Sequence, residues 1–374
     1  MIPVTADIAI VGAGPAGLSA AIQASLTGAS VLIIDENKVA GGQLFKQIHK
    51  FFGSREHRAG IRGSTIGKQL LEELQRQSNV TVMLESVAYG VFGGDTLGVF
   101  DREHNYEVKA QKYILASGGL ENYLSFPGST LPGVMGAGAA QTMININHVL
   151  PGEQVVMLGS GNVGLIVSYQ LMQAGAHVKA LIEAAPKIGG YGVHASKIAR
   201  NSVPILTSHT VVQALGTEYL EGVEVAQVDE HFCPVSGTEQ VIPCDTLCLA
   251  VGLNPLTELA WMAGCKMYYE SGLGGHIPVH DESMKTSNDR FYVAGDICGV
   301  EEASTAMEEG NLAGIAAAES IGLIDREVAA RQKAQVQNKL DALRTGYFGQ
   351  RRRQAKERLI AAYYDWKERG DVHA

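Results

Sequence analysis

Short apolar runs recur along the chain, and two of them lead directly into glycine-rich turns. Ile8-Ala9-Ile10-Val11 runs into Gly12-Ala13-Gly14-Pro15-Ala16-Gly17, and Val155-Val156-Met157-Leu158 runs into Gly159-Ser160-Gly161-Asn162-Val163-Gly164. Each combination predicts a strand, a tight turn and a helix. A second strand follows each helix: Val31-Leu32-Ile33-Ile34 ends at Asp35, and Val178-Lys179-Ala180-Leu181-Ile182 ends at Glu183. Both acids stand at the roughly 20-residue offset at which a carboxylate meets a ribose. Two copies of the same strand, turn, helix and acid weigh far more than one glycine motif alone.

The polar and apolar pattern also divides the chain. The first unit continues through a helix near residues 66–77, with Leu70, Leu71 and Leu74 on one face, and strand-like stretches at 80–85, 89–91 and 98–100. It closes on Tyr113-Ile114-Leu115-Ala116-Ser117-Gly118, whose small residues suit a loop passing close to a flat cofactor. The second unit repeats the plan, with a helix around 194–200, a β-rich stretch at 211–228, and the closing run Thr246-Leu247-Cys248-Leu249-Ala250-Val251-Gly252. No third fingerprint follows. Phe291-Tyr292-Val293-Ala294-Gly295-Asp296 leads into a small-residue helix from Ala303 to Ser320, offering an acid to a ribityl hydroxyl or phosphate and a helix dipole to a flavin edge. The expected fold is α/β, with two Rossmann-like dinucleotide-binding domains, the second inserted in the first, plus a helical C-terminal tail. The expected boundaries are 1–118 and 253–325 for the two parts of the first, flavin-holding domain, 119–252 for the second dinucleotide-binding domain with a linker at 119–150, and 326–374 for the tail. In the tail glycine becomes scarce, charge rises, and Leu359, Ile360, Tyr363, Tyr364 and Trp366 fall at helical spacing. Such a helix either folds back on the body or docks against a partner protein.

Composition narrows the function classes. A 46% hydrophobic, 18% charged chain is that of an ordinary globular protein. A net charge of −9 leaves no basic face for phosphate neutralisation, so no nucleic-acid partner is expected. No apolar run reaches the roughly 18 residues of a membrane span, and no secretory leader is evident, which predicts a cytoplasmic location. Five irregularly spaced cysteines fit reduced thiols. The eleven histidines form no metal-ligand spacing, so no metal site is assigned. Cys298 reads as a space-filling buried thiol, and the basic stretch His49, Lys50, Arg55, His57, Arg58, Arg62 as an anion-binding or subunit-contact segment.

These residues resemble those of the two-dinucleotide-binding-domain flavoproteins, the class that includes thioredoxin and glutathione reductases. The likeness runs over residues 1 to about 325 and rests on both fingerprints, Ala40-Gly41-Gly42-Gln43-Leu44, Leu115-Ala116-Ser117-Gly118 and Tyr292-Val293-Ala294-Gly295-Asp296. A narrower likeness, carried by residues 42–47, 53–63 and 189–195, is to the FAD/NAD-binding subunits of multi-subunit amine and amino-acid dehydrogenases. That group includes the B subunit of hydrogen cyanide synthase, the A subunit of octopine and nopaline oxidases, and the α subunits of heteromeric sarcosine oxidase and of hydroxyproline or proline dehydrogenases.

The resemblance implies FAD on Gly12, Gly14, Pro15, Ala16, Gly17, Asp35, Glu36, Gly42, Gln43, Leu44, Ala116, Ser117, Gly118, Gly295 and Asp296. It implies NAD on Gly159, Gly161, Asn162, Val163, Gly164 and Glu183, with the acid at 183 favouring NAD over NADP. It also implies a hetero-oligomer with a second flavoprotein subunit of glycine-oxidase-like type, with a small iron–sulfur subunit, and with an FMN shared between partners. No residue is assigned a catalytic role, because the flavin carries the chemistry. No pair of cysteines has the spacing of a disulfide reductase, and none follows Cys298 to bind an iron–sulfur cluster. Two other readings stay open from the sequence: a stand-alone NADH-dependent reductase of a ferredoxin-like carrier, and a nucleotide-binding scaffold without redox turnover.

Overall fold

The computed structural model describes residues 1–369. The chain divides into two compact units, one formed by Met1–Leu120 with the segment from Asn254 onward, the other by Glu121–Leu253.

The first unit opens with β1 (Ile2–Val11), α1 (Pro15–Ser25) and β2 (Val31–Ile34). Proline at the first position of α1 loses no hydrogen bond, since its missing N–H has no intrahelical acceptor there. α2 (Gly63–Gln75), β3 (Val80–Met83), β4 (Val87–Phe92), β5 (Thr96–Phe100) and the long β6 (Asn105–Leu115) follow. The sheet order is β3-β2-β1-β6-β5-β4. Strands β3, β2, β1 and β6 run parallel, and the β4–β5 hairpin adds antiparallel to the first half of β6. The chain order reverses between β1 and β6, which opens a crevice at their carboxyl ends.

The stretch read from the sequence as a linker is built into the second unit. After the short β7 (Gly119–Glu121), β8 (Val134–Gly136) pairs in parallel with the closing strand of this unit, and α3 (Ala137–Thr142) follows. The two elements are short and small-residue-rich, with no long apolar run, so neither was visible in the hydrophobic pattern. β9 (Gln154–Leu158), α4 (Asn162–Ala174), β10 (His177–Glu183), α5 (Gly192–Arg200) and β11 (Ile205–Thr207) lead to a three-stranded antiparallel sheet. That sheet is β12 (His209–Leu215), β13 (Gly222–Gln227) and β14 (Gln240–Pro243). β15 (Thr246–Leu249) closes a five-stranded parallel sheet of order β11-β10-β9-β15-β8. Its reversal lies between β9 and β15. Gly175, at φ +105, ends α4 in the left-handed conformation that only glycine adopts without strain.

β16 (Leu253–Pro255) returns the chain, followed by α6 (Glu258–Met262) and the hairpin of β17 (Met267–Glu270) and β18 (Gly275–Pro278). β19 (Phe291–Val293) then pairs with the last residues of β6, where Phe291 stacks on Tyr113 with ring centroids 4.8 Å apart. Thus a segment distant in sequence completes the first sheet, as a domain interrupted by an insertion requires. α7 (Ala303–Ser320) is buried nearly all round, the mark of a helix enclosed by its neighbours. α8 (Arg326–Leu343) starts at Asp325, whose carboxylate accepts the N–H groups of Glu327 and Val328 at 2.9 and 3.3 Å. α9 (Gly346–Arg369) folds back, burying Ala355, Leu359 and Tyr363 against Leu273, Ile277 and Val279.

α1 and α7 touch backbone to backbone. A Cβ on Gly310 would stand 2.1 Å from the carbonyl oxygen of Ala16, and one on Gly314 2.4 Å from that of Ala20. Gly310→Ala therefore has to push the two helices apart and is expected to cost about 1–3 kcal/mol. Urea denaturation of the variant measures this, and a midpoint equal to the parent's would refute the close approach.

Candidate functional site

Each glycine turn lies at the reversal of its sheet, and the two are built alike. Gly12 adopts φ +100 and Gly159 φ +108. A Cβ on Gly12 would lie 2.2 Å from Ala116 O, and one on Gly159 2.3 Å from Ala250 O. Ala116 N–H donates to Val11 O at 2.8 Å, and Ala250 N–H to Leu158 O at 2.7 Å. The third glycines pack inward: a Cβ on Gly17 would meet Gly12 O at 1.8 Å, and one on Gly164 would meet Gly159 O at 2.1 Å. Gly14 and Gly161 differ from these, because nothing lies within 4 Å of where their Cβ atoms would be. They are the N-caps of α1 and α4, and neither helix has a side-chain cap there. N–H groups at a helix N-terminus that lacks a side-chain cap, beside open space across a residue without a side chain, suit a pyrophosphate.

The acids at the strand ends hold these turns. Asp35 accepts Ala13 N–H at 2.6 Å through one oxygen, and Asn37 N–H at 2.8 Å and the Asn37 amide at 2.9 Å through the other. Glu183 accepts Ser160 N–H at 2.9 Å and the Ser160 hydroxyl at 2.6 Å, while its other oxygen accepts Ala185 N–H at 2.8 Å. A carboxylate has about four acceptor positions, so each acid retains room for a hydroxyl. A glycine pair then lies across each turn. Gly41 N–H donates to Ala13 O at 2.7 Å, and Gly190 N–H to Ser160 O at 2.8 Å. Gly42 is in the left-handed region at φ +53, and a Cβ there would stand 2.9 Å from Gly14 Cα. The hydrophobic pattern did not show this second shared device, although the pairs Gly41-Gly42 and Gly189-Gly190 are visible in the sequence.

The other expected residues differ in position. Pro15 and Ala16 form the first turn of α1. Glu36 and Gln43 are exposed, whereas Leu44 is wholly buried against Gly67, so it anchors the loop in the core. The Ser117 hydroxyl donates to Leu256 O at 2.7 Å, and Gly118 takes φ +79. Asn162 accepts Tyr191 N–H at 2.9 Å through its side chain, and Val163 is exposed. The basic stretch is folded on itself: Arg62 donates to Ile48 O at 3.0 Å, and the His57 ring bonds the Ser54 hydroxyl at 2.9 Å.

Gly295, at φ +79, presses against α1, where a Cβ would be 3.0 Å from the Ala16 side chain. Asp296 follows, half-buried, with Glu301 N–H at 3.4 Å. Burial pushes its carboxyl up to about 6; the Glu301 N–H opposes that rise, and the nearby Glu309 and Glu301 carboxylates add to it. Behind this turn lies an ion cluster absent from the sequence-based expectations. Glu309, in the middle of α7, accepts Gly295 N–H at 3.0 Å and lies 2.6 Å from Arg344 and 2.8 Å from Lys356. Despite complete burial, the charges of Lys356 and Arg344 hold its carboxyl below the usual range. Arg344 also grips Glu301 at 2.7 and 3.2 Å.

Cys244, Cys248, Cys265 and Cys298 are buried, and burial pushes the Cys244 and Cys248 thiols up to about 12. Among the described residues no group of histidines, cysteines and acids is arranged to hold a metal, and no helix is long and apolar enough to cross a membrane.

In the chain stripped of small molecules, Gly12→Ala should lose roughly 3 kcal/mol or more, whereas Gly14→Ala, at φ −76, should stay within about 0.5 kcal/mol. Equal losses in urea denaturation would contradict the distinction between tightly packed glycines and those beside open space. Asp296 gives a pH signature. Its carboxyl rises from an ordinary 3.8 to about 6 on folding, so its favourable contribution is complete below pH 3.8 and is lost as pH climbs through 6. Asp296→Asn should therefore be more stable than the parent by up to about 3 kcal/mol above pH 6, with the difference vanishing as pH falls below 3.8. A gain of equal size at pH 4 and pH 7 would exclude this origin.

Comparison with known proteins follows the same lines. The family described as pyridine nucleotide-disulphide oxidoreductase matches residues 6–310. The A subunit of opine oxidase from Rhizobium meliloti is 30% identical over 87% of this chain and 65% of its own length. The alpha subunit of sarcosine oxidase from Rhizobium meliloti (strain 1021) is 27% identical over 70% of this chain and 26% of its own. The chain thus spans just under two thirds of the first relative and about a quarter of the second. The T. acidophilum thioredoxin reductase structure superposes with a TM-score of 0.69 at 24% identity, over 85% of this chain and 99% of that one, which bears on the fold. An FMN has no support in these matches. With its paired glycine turns and a family match over most of its length, this chain belongs to the pyridine nucleotide-disulphide oxidoreductase family, a family of flavin-dependent oxidoreductases.

Proposed function

We propose that the chain is the FAD- and NAD-binding subunit of a heteromeric amine or amino-acid dehydrogenase, receiving or relaying electrons from a partner protein that oxidises a C–N bond. The observation that carries this reading is the pair of uncapped, open glycine turns, each braced by an acid. Two relatives are themselves subunits of oxidases, of opines and of sarcosine, which supports a partner-dependent role. FAD, when bound, supplies the two-electron chemistry. Gly12, Gly14, Gly17 and Asp35 would hold its pyrophosphate and ribose, with Gly42, Gln43, Ala116, Ser117, Gly118, Gly295 and Asp296 along the rest. Gly159, Gly161, Asn162, Gly164 and Glu183 would do the same for NAD. Glu183 repels a 2′-phosphate and has lone pairs for a free 2′-hydroxyl.

Two properties weigh against disulfide chemistry in this member of the family. The buried thiols are held protonated by their surroundings, whereas a reactive thiol needs its thiolate. The five cysteines are all free, and Cys233 alone is exposed.

The purified chain should carry FAD with visible flavin absorbance, and Gly14→Ala should remove it while leaving the fold intact; a colourless parent that takes up no FAD on reconstitution would defeat the proposal. Anaerobic NADH should bleach the flavin at least about tenfold faster than NADPH, and Glu183→Gln should narrow that gap. No bleaching by either nucleotide would leave a scaffold role. Expressed with its own operon neighbours, the chain should elute with a second flavoprotein; elution alone with full NADH oxidation would favour a free-standing reductase.

A further inference from the structure

We propose that Lys356, in α9, and Arg344, the residue that caps the C-terminus of α8, are positioning residues that hold the Gly295–Asp296 turn in its cofactor-binding shape. The helical tail would then be part of the flavin site. This inference rests on the FAD reading above.

The geometry is that of a clamp from beneath. The Lys356 ammonium, on α9, donates to Cys298 O at 2.7 Å and lies 2.8 Å from Glu309. Glu309 in turn takes Gly295 N–H at 3.0 Å and lies 3.3 Å from the Cys298 thiol. The short turn 295–298 is therefore gripped at both ends, at Gly295 by a carboxylate and at Cys298 by the ammonium that neutralises it. Arg344, at the end of α8, bridges Glu309 to Glu301. Glu301 N–H also donates to the Asp296 carboxylate, at 3.4 Å.

All four charged side chains are at least nine-tenths buried, and two carboxylates face two cations. Such a group tolerates no single deletion, because the partner left behind is a buried, unpaired charge. A tail serving only as a surface helix would need no cation inside the first unit. Removing the cation that opposes Glu309 and Glu301 also leaves surplus negative charge beside Asp296, which disfavours the more electron-rich, reduced flavin.

The test compares Lys356→Met with the parent in the full-length chain. The measurements are FAD affinity of the stripped protein by flavin fluorescence, the visible flavin spectrum, the flavin midpoint potential, and thermal melting without FAD. Lys356→Met should bind FAD at least about tenfold more weakly, with a shifted spectrum and a more negative potential. Arg353→Ala, on an exposed turn of the same helix, should match the parent in all four. If Lys356→Met does not fold, the double variant Lys356→Met/Glu309→Gln removes both buried charges of the pair while still lacking the grip on Cys298 O, and it should show the same weakening. FAD affinity within twofold of the parent, with unchanged spectrum and potential, in whichever of these variants folds would overturn the inference. A parent that binds no FAD would instead defeat the functional reading on which it rests.

Discussion

A methyl group at Gly12 would sit 2.2 Å from Ala116 O, and one at Gly159 would sit 2.3 Å from Ala250 O. This backbone approach lets the first turn of each unit nest against the closing strand of its own sheet. It follows directly from the sheet order, since β1 and β6, and likewise β9 and β15, are neighbours whose connections leave in opposite directions. Once the turn is pressed there, the N-terminus of the next helix opens into the crevice. The acid at the end of the second strand then reaches the turn's own N–H. The acid is therefore a brace for the turn first, and its carboxylate keeps acceptor capacity to spare.

A similar constraint joins the two distant parts of the first unit. Gly310 and Gly314 let α7 lie directly on α1, and Gly295 lets the turn after β19 lie on the first turn of that helix. The turn that carries Asp296 is consequently held against the first turn of α1, and the Asp296 carboxyl is half-buried near two other carboxylates. Its raised proton affinity is the electrostatic result of that packing. The buried cations of the tail hold the same region together from the other side. Glu309 can remain ionised in the core because two cations reach it.

Much of this was legible in the chain. Both fingerprints, both acids, the closing strands and the helix from Ala303 to Ser320 lie where the apolar runs and glycines placed them. What was missed has a common cause. β8 and α3 are too short and too poor in apolar side chains to stand out, and the boundaries of α2 and α5 shifted by two or three residues because their first turns carry glycine. Leu44 lies in the expected cofactor loop, and its side chain turns into the core, which the hydrophobic pattern did not indicate. Glu309, Arg344 and Lys356 carry no signal in the sequence, because each looks ordinary beside its neighbours, one in an acidic pair and two in a highly charged tail.

Local sequence by itself determined the two nucleotide-binding turns, because a glycine spacing, a proline and a strand-end acid act within some thirty residues of chain. Tertiary structure alone decided which charges became buried partners. Arg344 and Lys356 meet Glu309 only after α8 and α9 have folded back. Charge pairing depends on three-dimensional distance and on exclusion of water, and neither is written in the order of residues along the chain.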